Sequence, residues 1–179
     1  MRQLTIYDVA RLAVAYWTRD DAITMVAIAG PESAYIEDRP SSSDIIGMYG
    51  DQEAWHPYAC DGVYSWGLWQ VFMPVHHLLL QERTGSTDPC VWRDHLVDPG
   101  FNAILAHEIW ATQGLSAWST YNNGDYLDYL DEAEAAVDAA LVPLPPRGPV
   151  TPGGISPPNL AIEPPWLAVE PPGQAVQPP

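Results

Sequence analysis

The sequence predicts a mainly α-helical domain with a small irregular or hairpin lobe, followed by an extended proline-rich tail. Three observations lead there. Apolar residues recur at helical spacing near both ends of the first 142 residues, the stretch from Ser33 to Tyr64 loses that periodicity and fills with turn formers, and 13 of the 37 residues from Pro143 onward are proline. Residues 1–142 are therefore expected to fold as one domain, long enough to bury a core, and residues 143–179 to form a linker or anchoring arm.

Ile6, Val9, Ala10, Ala13, Tyr16 and Trp17 lie on one helical stripe with Thr5 placed to cap it, so the chain is expected to open with an amphipathic helix. A second helix should begin at Asp20 and Asp21, whose charges suit a helix N-terminus, and run through "AITMVAIA" to Gly30. The Gly30-Pro31 pair is expected to stop it, leaving Glu32 at or just past its end. "EDRPSSSD" and "MYGDQEAWHPYACDG" read as a long loop or small hairpin lobe. "SWGLWQVF" is expected to be a short helix stopped by Pro74, and "VHHLLLQER" a further helix ending near Gly85. "STDPCVWRDHLVDPG" reads as connector; "FNAILAHEIWATQ" is a helix with Phe101, Ile104, Leu105 and Ile109 on its apolar face, ended by Gly114. After "LSAWSTYNNG", the segment "DYLDYLDEAEAAVDAAL" closes the domain as its last helix. The tail has too few apolar residues to offset the entropy of ordering it alone, and an extended polyproline-like arm is expected.

The 23 acidic residues outnumber the 7 basic ones, all of them arginine, for a net charge of -16. That balance argues against nucleic acid and anionic membranes as partners. The N-terminal stretch carries Asp8 and Arg11 where a secretion signal needs an apolar core, and no apolar run approaches the roughly 20 residues of a membrane span, so neither a signal peptide nor membrane insertion is expected. Cys60 and Cys90 permit one disulfide or two buried thiols. His76 and His77 diverge around a helix and lack a third ligand, which favours exposed or capping roles over metal.

Four short pieces carry the chemistry: "PES" at 31–33, "GLWQ" at 67–70, "DPGFNAILA" at 98–106 and "WSTYNNGDY" at 118–126. In that order they resemble the lysozyme-like lytic transglycosylase superfamily, the soluble-transglycosylase and goose-type lysozyme group, in its phage-type form. The resemblance spans roughly residues 7 to 130 and has no counterpart to the tail. It implies a lysozyme-like fold, no cofactor and no metal, and cleavage of the MurNAc-GlcNAc β-1,4 bond of peptidoglycan strands.

By the same resemblance Glu32 is the general acid and then base, a role that needs its carboxyl protonated near neutral pH by burial. Tyr121 would orient Glu32 by a hydrogen bond, and Ser65, Gly67, Gln70 and Tyr126 would join it in binding substrate, with Gly67 letting the backbone pass close to the glycan. Each has a plain alternative: Ser65 as a helix cap, Gln70 as a surface residue, Tyr121 as a core tyrosine. Asn102 and Trp118 are assigned to scaffold, while Trp66 or Trp69 could stack on a sugar. The chain departs from the family pattern in the 38 positions between Glu32 and Gln70, an insertion whose Asp44, Asp51, Glu53 and Asp61 are the available second carboxylates. One-glutamate chemistry, with the substrate's own hydroxyl attacking, is the expectation, because none of the four stands out in sequence. The implied setting is a phage virion or tail, with the proline arm docked on a particle protein. The rival reading is a structural virion protein that keeps the fold for assembly or glycan adhesion without turnover.

Overall fold

The computed structural model describes residues 2–48 and 50–142; the proline arm lies outside the described residues. The chain is mainly helical with one two-stranded antiparallel hairpin. Helix α1 (Ile6–Ala13) begins at a capping box, in which the Thr5 hydroxyl accepts the Asp8 N–H at 3.1 Å and the Thr5 N–H donates to the Asp8 carboxylate at 3.0 Å. It is shorter than its apolar stripe. Tyr16 and Trp17 follow the helix, and Trp17 still reaches the core, its ring 5.6 Å from that of Trp69.

Helix α2 (Arg19–Ser33) starts at Thr18, whose side chain accepts the Asp21 N–H, and it is buried from Met25 to Gly30. A helix apolar on all sides belongs inside a bundle, and α2 packs against α1 and α7 (Leu130–Leu141). The expected stop at Gly30-Pro31 is not where α2 ends. Pro31 lies within its last turn, and the helix closes only at Ala34, which takes the left-handed conformation (φ 54°) and returns its N–H to the Gly30 carbonyl at 2.7 Å. A proline near a C-terminus forfeits one backbone bond but leaves the last turn intact. Glu32 is therefore a helical residue.

A Cβ on Gly30 would overlap the ring of Tyr129, which lies against the α2 backbone. Alanine favours helix interiors over glycine by about 1 kcal/mol, yet here the overlap reverses the sign. Gly30→Ala should destabilise the protein by about 1–3 kcal/mol, read as a lower urea midpoint with an unchanged m-value.

The stretch after α2 forms the irregular lobe expected. Residues 41–46 run beside residues 62–65 through Ser41 N–H to Ser65 O (3.0 Å), Tyr64 N–H to Asp44 O (2.8 Å) and Ile46 N–H to Gly62 O (2.8 Å). A 3-10 turn, Glu53–Tyr58, follows the loop, and a Cys60–Cys90 disulfide fastens the lobe to α4 (Pro89–Leu96), so the two cysteines pair rather than remain free.

"SWGLWQVF" is not a helix. It forms the hairpin of β1 (Ser65–Trp66) and β2 (Val71–Phe72), with Ser65 opposite Phe72 and Trp66 opposite Val71. Two left-handed residues turn it, Gly67 (φ 87°) and Gln70 (φ 46°), and the Gln70 amide braces the turn by donating to the Arg39 and Gly67 carbonyls at 2.9 and 2.8 Å. Pro74 then starts a helix instead of stopping one, because a first-turn N–H has no helical partner to lose; α3 runs Met73–Thr84.

The supposed connector contains α4, capped where the Asp88 side chain accepts the Cys90 N–H at 2.8 Å. Helix α5 (Pro99–Gln113) ends at Gly114 as expected, and α6 (Ser119–Asn123) follows a short 3-10 turn. The last expected helix is divided: Asp125–Tyr129 is a 3-10 turn and only Leu130–Leu141 is α-helical. Among the described residues no helix is long and apolar enough to cross a membrane.

Candidate active site

The last turn of α2 delivers Glu32 to the edge of the core. Its carboxylate accepts the Thr120 hydroxyl at 2.7 Å. Burial among the helices raises its pKa; the Thr120 hydroxyl and backbone N–H, which favour the charged form, oppose that shift, while the charges of Asp44 and Asp125 add to it. A carboxyl held protonated above its usual range can deliver a proton to a leaving oxygen.

Glu32 opens into a cleft of about 410 Å³. The lobe supplies the facing wall through Asp44, Asp51 and Trp55, and the hairpin supplies Gln70, Val71 and Phe72. His76 of α3, together with Trp118 and Ser119, completes the rim.

The two lobe aspartates are held differently. Asp44 accepts the buried Ser65 hydroxyl at 2.7 Å, and its charge acts on Glu32. Asp51 accepts the Tyr64 hydroxyl at 2.6 Å on one oxygen, and the Gly47 N–H at 2.8 Å and the His56 ring at 2.9 Å on the other. The Tyr64 bond, then the Gly47 and His56 bonds, lower its pKa to about 2, so it stays ionised at any working pH. Glu53 and Asp61 do not line the cleft, and Asp61 instead faces Arg93 at 3.1 Å.

Of the acid and substrate-binding residues expected from sequence, Glu32 and Gln70 line this cleft, as do Asp44 and Asp51 among the four second carboxylates, whereas Ser65, Gly67, Tyr121 and Tyr126 do not. Tyr121 does not hold Glu32. The preceding residue, Thr120, donates its hydroxyl to Glu32, whereas the Tyr121 ring stacks on Tyr126 with centroids 4.9 Å apart, beside a separate shallow surface formed with Trp110 and Leu115. One step along a helix turns a side chain by about 100°, which is why the neighbour takes the role. Ser65 is fully buried and acts on Asp44, so it positions a wall residue and does not line the cleft itself. Gly67 does bring two backbones together, but its neighbour is protein: a Cβ there would meet the Asn102 side chain and the Leu96 carbonyl.

Asn102 explains that close approach. Its side-chain oxygen accepts the Trp69 N–H at 3.0 Å, and its nitrogen donates to the Trp66 and Leu96 carbonyls at 3.2 and 3.1 Å, locking the hairpin onto α4 and α5. Trp69 is closed to stacking as well. It is fully buried, and its indole donates to the Met25 carbonyl at 2.8 Å; Trp66, 8 % exposed, lies under the Arg93 guanidinium.

The tryptophan that is half-open to the cleft is Trp55, standing edge-on to Phe72 at 5.1 Å. Sequence reading missed Trp55, Thr120 and His76 as site residues. The "WST" before Tyr121 was the one available pointer to Thr120; Trp55 and His76 had no local signal. His77, by contrast, shares a 2.9 Å hydrogen bond with the Pro74 carbonyl of its own helix. No protein-family model, no curated protein and no solved structure matches this chain.

Proposed function

We propose that the cleft is the active site of a lysozyme-like muramidase that cleaves the MurNAc-GlcNAc β-1,4 bond of peptidoglycan strands. The observation that carries the reading is the Glu32 carboxyl, half-buried at the end of an apolar helix, raised in pKa and open to a cleft of about 410 Å³. The order of "PES", "GLWQ", "DPGFNAILA" and "WSTYNNGDY" supports it. In this reading Glu32 protonates the glycosidic oxygen, Thr120 orients the acid, and Gln70 contacts sugar.

The second carboxylate is Asp44. It shares the cleft with Glu32 and its charge acts there, and an inverting base faces the acid across such a cleft with room for a water between them. Asp51 is the poorer base, since a carboxylate with a pKa near 2 holds a proton weakly. Hydrolysis with Asp44 as base is thus favoured over the one-glutamate route. The setting we propose is a phage particle, with residues 143–179 docked on a virion or tail protein.

Product analysis on purified cell wall tests the reading. New reducing ends are expected from the wild-type protein, with release falling at least about tenfold in Asp44→Asn. Products ending in 1,6-anhydro-muramic acid would assign one-glutamate chemistry instead, and binding without any new ends would favour the structural virion protein.

A further inference from the structure

The charge of the cleft restricts what can enter it. Glu32, Asp44 and Asp51 line it, and none of the described arginines does. Arg2, Arg19, Arg83 and Arg93 are engaged elsewhere, with Glu37, with Glu134 and Asp138, with Glu108, and with Asp61 and Asp94. The sequence contains no lysine. Two imidazoles are near. His56 is bonded to Asp51, and burial lowers the pKa of His76 on the rim, disfavouring its charged form. The Asp51 charge is fixed in place by three hydrogen bonds.

Against this acidic surface stand the half-buried rings of Trp55 and Phe72. Aromatic groups accept the C–H face of a pyranose, and carboxylates accept its hydroxyl and amide protons. A carboxylate on the sugar finds no counter-charge there and meets only repulsion.

We propose that the cleft selects uncharged N-acetylated pyranose chains and rejects saccharides bearing a free carboxylate. This rests on the glycan reading of the site and adds to it a substrate class. In a peptidoglycan strand the lactyl carboxyl of a peptide-bearing muramic residue is tied up as an amide, so the sugar itself presents no charge and is accepted, the peptide's own carboxylates standing on the stem and not on the pyranose. A strand stripped of its peptides exposes that carboxylate and is excluded.

The test uses the full chain carrying Glu32→Gln, which prevents turnover and leaves a neutral side chain at the acid position. Calorimetric binding is compared for chitotetraose and for the same tetramer oxidised to carboxylates at C6. At about 50 mM salt the oxidised tetramer should bind on the order of tenfold or more weakly, and at about 500 mM the gap should narrow as the charges are screened. Asp44→Asn in the same background should narrow it at low salt also. Equal affinities at low salt, or a gap that salt leaves unchanged, overturn the selection while the glycan reading stands. Binding of neither tetramer overturns both.

Discussion

Replacing Glu32 with glutamine is expected to abolish wall clearing while making the folded protein more resistant to heat at alkaline pH. The loss follows from the role proposed for Glu32: a positioned general acid contributes about 10²- to 10⁴-fold, and glutamine has no acidic proton to give. The gain follows from linkage. Burial raises the Glu32 pKa in the folded state, so between the unfolded and folded values the native protein binds the proton more tightly than the unfolded chain does. Stability contributed by that difference is fully present below the unfolded pKa and is lost as pH rises through the folded one.

Glutamine does not titrate and escapes the loss. Melting temperatures of the two proteins should therefore be close near pH 4 and diverge above pH 7, with the variant higher. Zymography reads the activity and calorimetry the stability. Clearing equal to wild type would remove Glu32 from the chemistry, and a variant that melts lower at pH 8 would show that the carboxylate is held for structure.

Breaking the Cys60–Cys90 link should weaken the protein nearly as visibly. The two residues are 30 positions apart with Cα atoms 4.9 Å apart. Closing a loop of that length removes unfolded-state entropy worth about 3–4 kcal/mol. For a domain of this size the corresponding drop in melting temperature is roughly 10 °C.

The lobe has little else to hold it. Among described residues 34–64 only Cys60 and Tyr64 are buried, so the Asp44 and Asp51 wall depends on the disulfide and on a few hydrogen bonds. Cys60→Ser with Cys90→Ser should thus lower both melting temperature and wall cleavage. Retained cleavage with a lower melting temperature would show that the wall is set without the link.

The amphipathic and capped helices were legible in the sequence, since their signals are local. Thr5 with Asp8, Thr18 with Asp21, and Gly114 after α5 all act within one turn of the residues they govern. The misread segments depend on distant partners. "SWGLWQVF" has helix-compatible spacing, but Asn102, over thirty positions away, binds its turn from outside and Arg39 accepts its glutamine. Pro74 reads as a breaker because a proline looks the same at a helix start as at its end. In the site, Glu32 was legible from its odd placement after an apolar run, whereas the choice of Thr120 over Tyr121 depends on the rotation of a five-residue helix, which no pattern encodes. Asp44 and Asp51 could be named only as two of four acids, because what separates them is the fold of the lobe.

The bonds around residue 69 also set when the site comes into being. Trp69 donates its N–H to the Asn102 side chain and its indole N–H to Met25, 44 positions back, its carbonyl takes the Trp118 indole from 49 positions ahead, and Thr120 meets Glu32 across 88. Contacts that far apart form only after long loops have closed. A chain growing on the ribosome has no seat for Trp69 until Asn102 has emerged and no partner for Glu32 until Thr120 has. Glu32 is therefore synthesised early but gains its Thr120 partner only after 88 further residues have followed it.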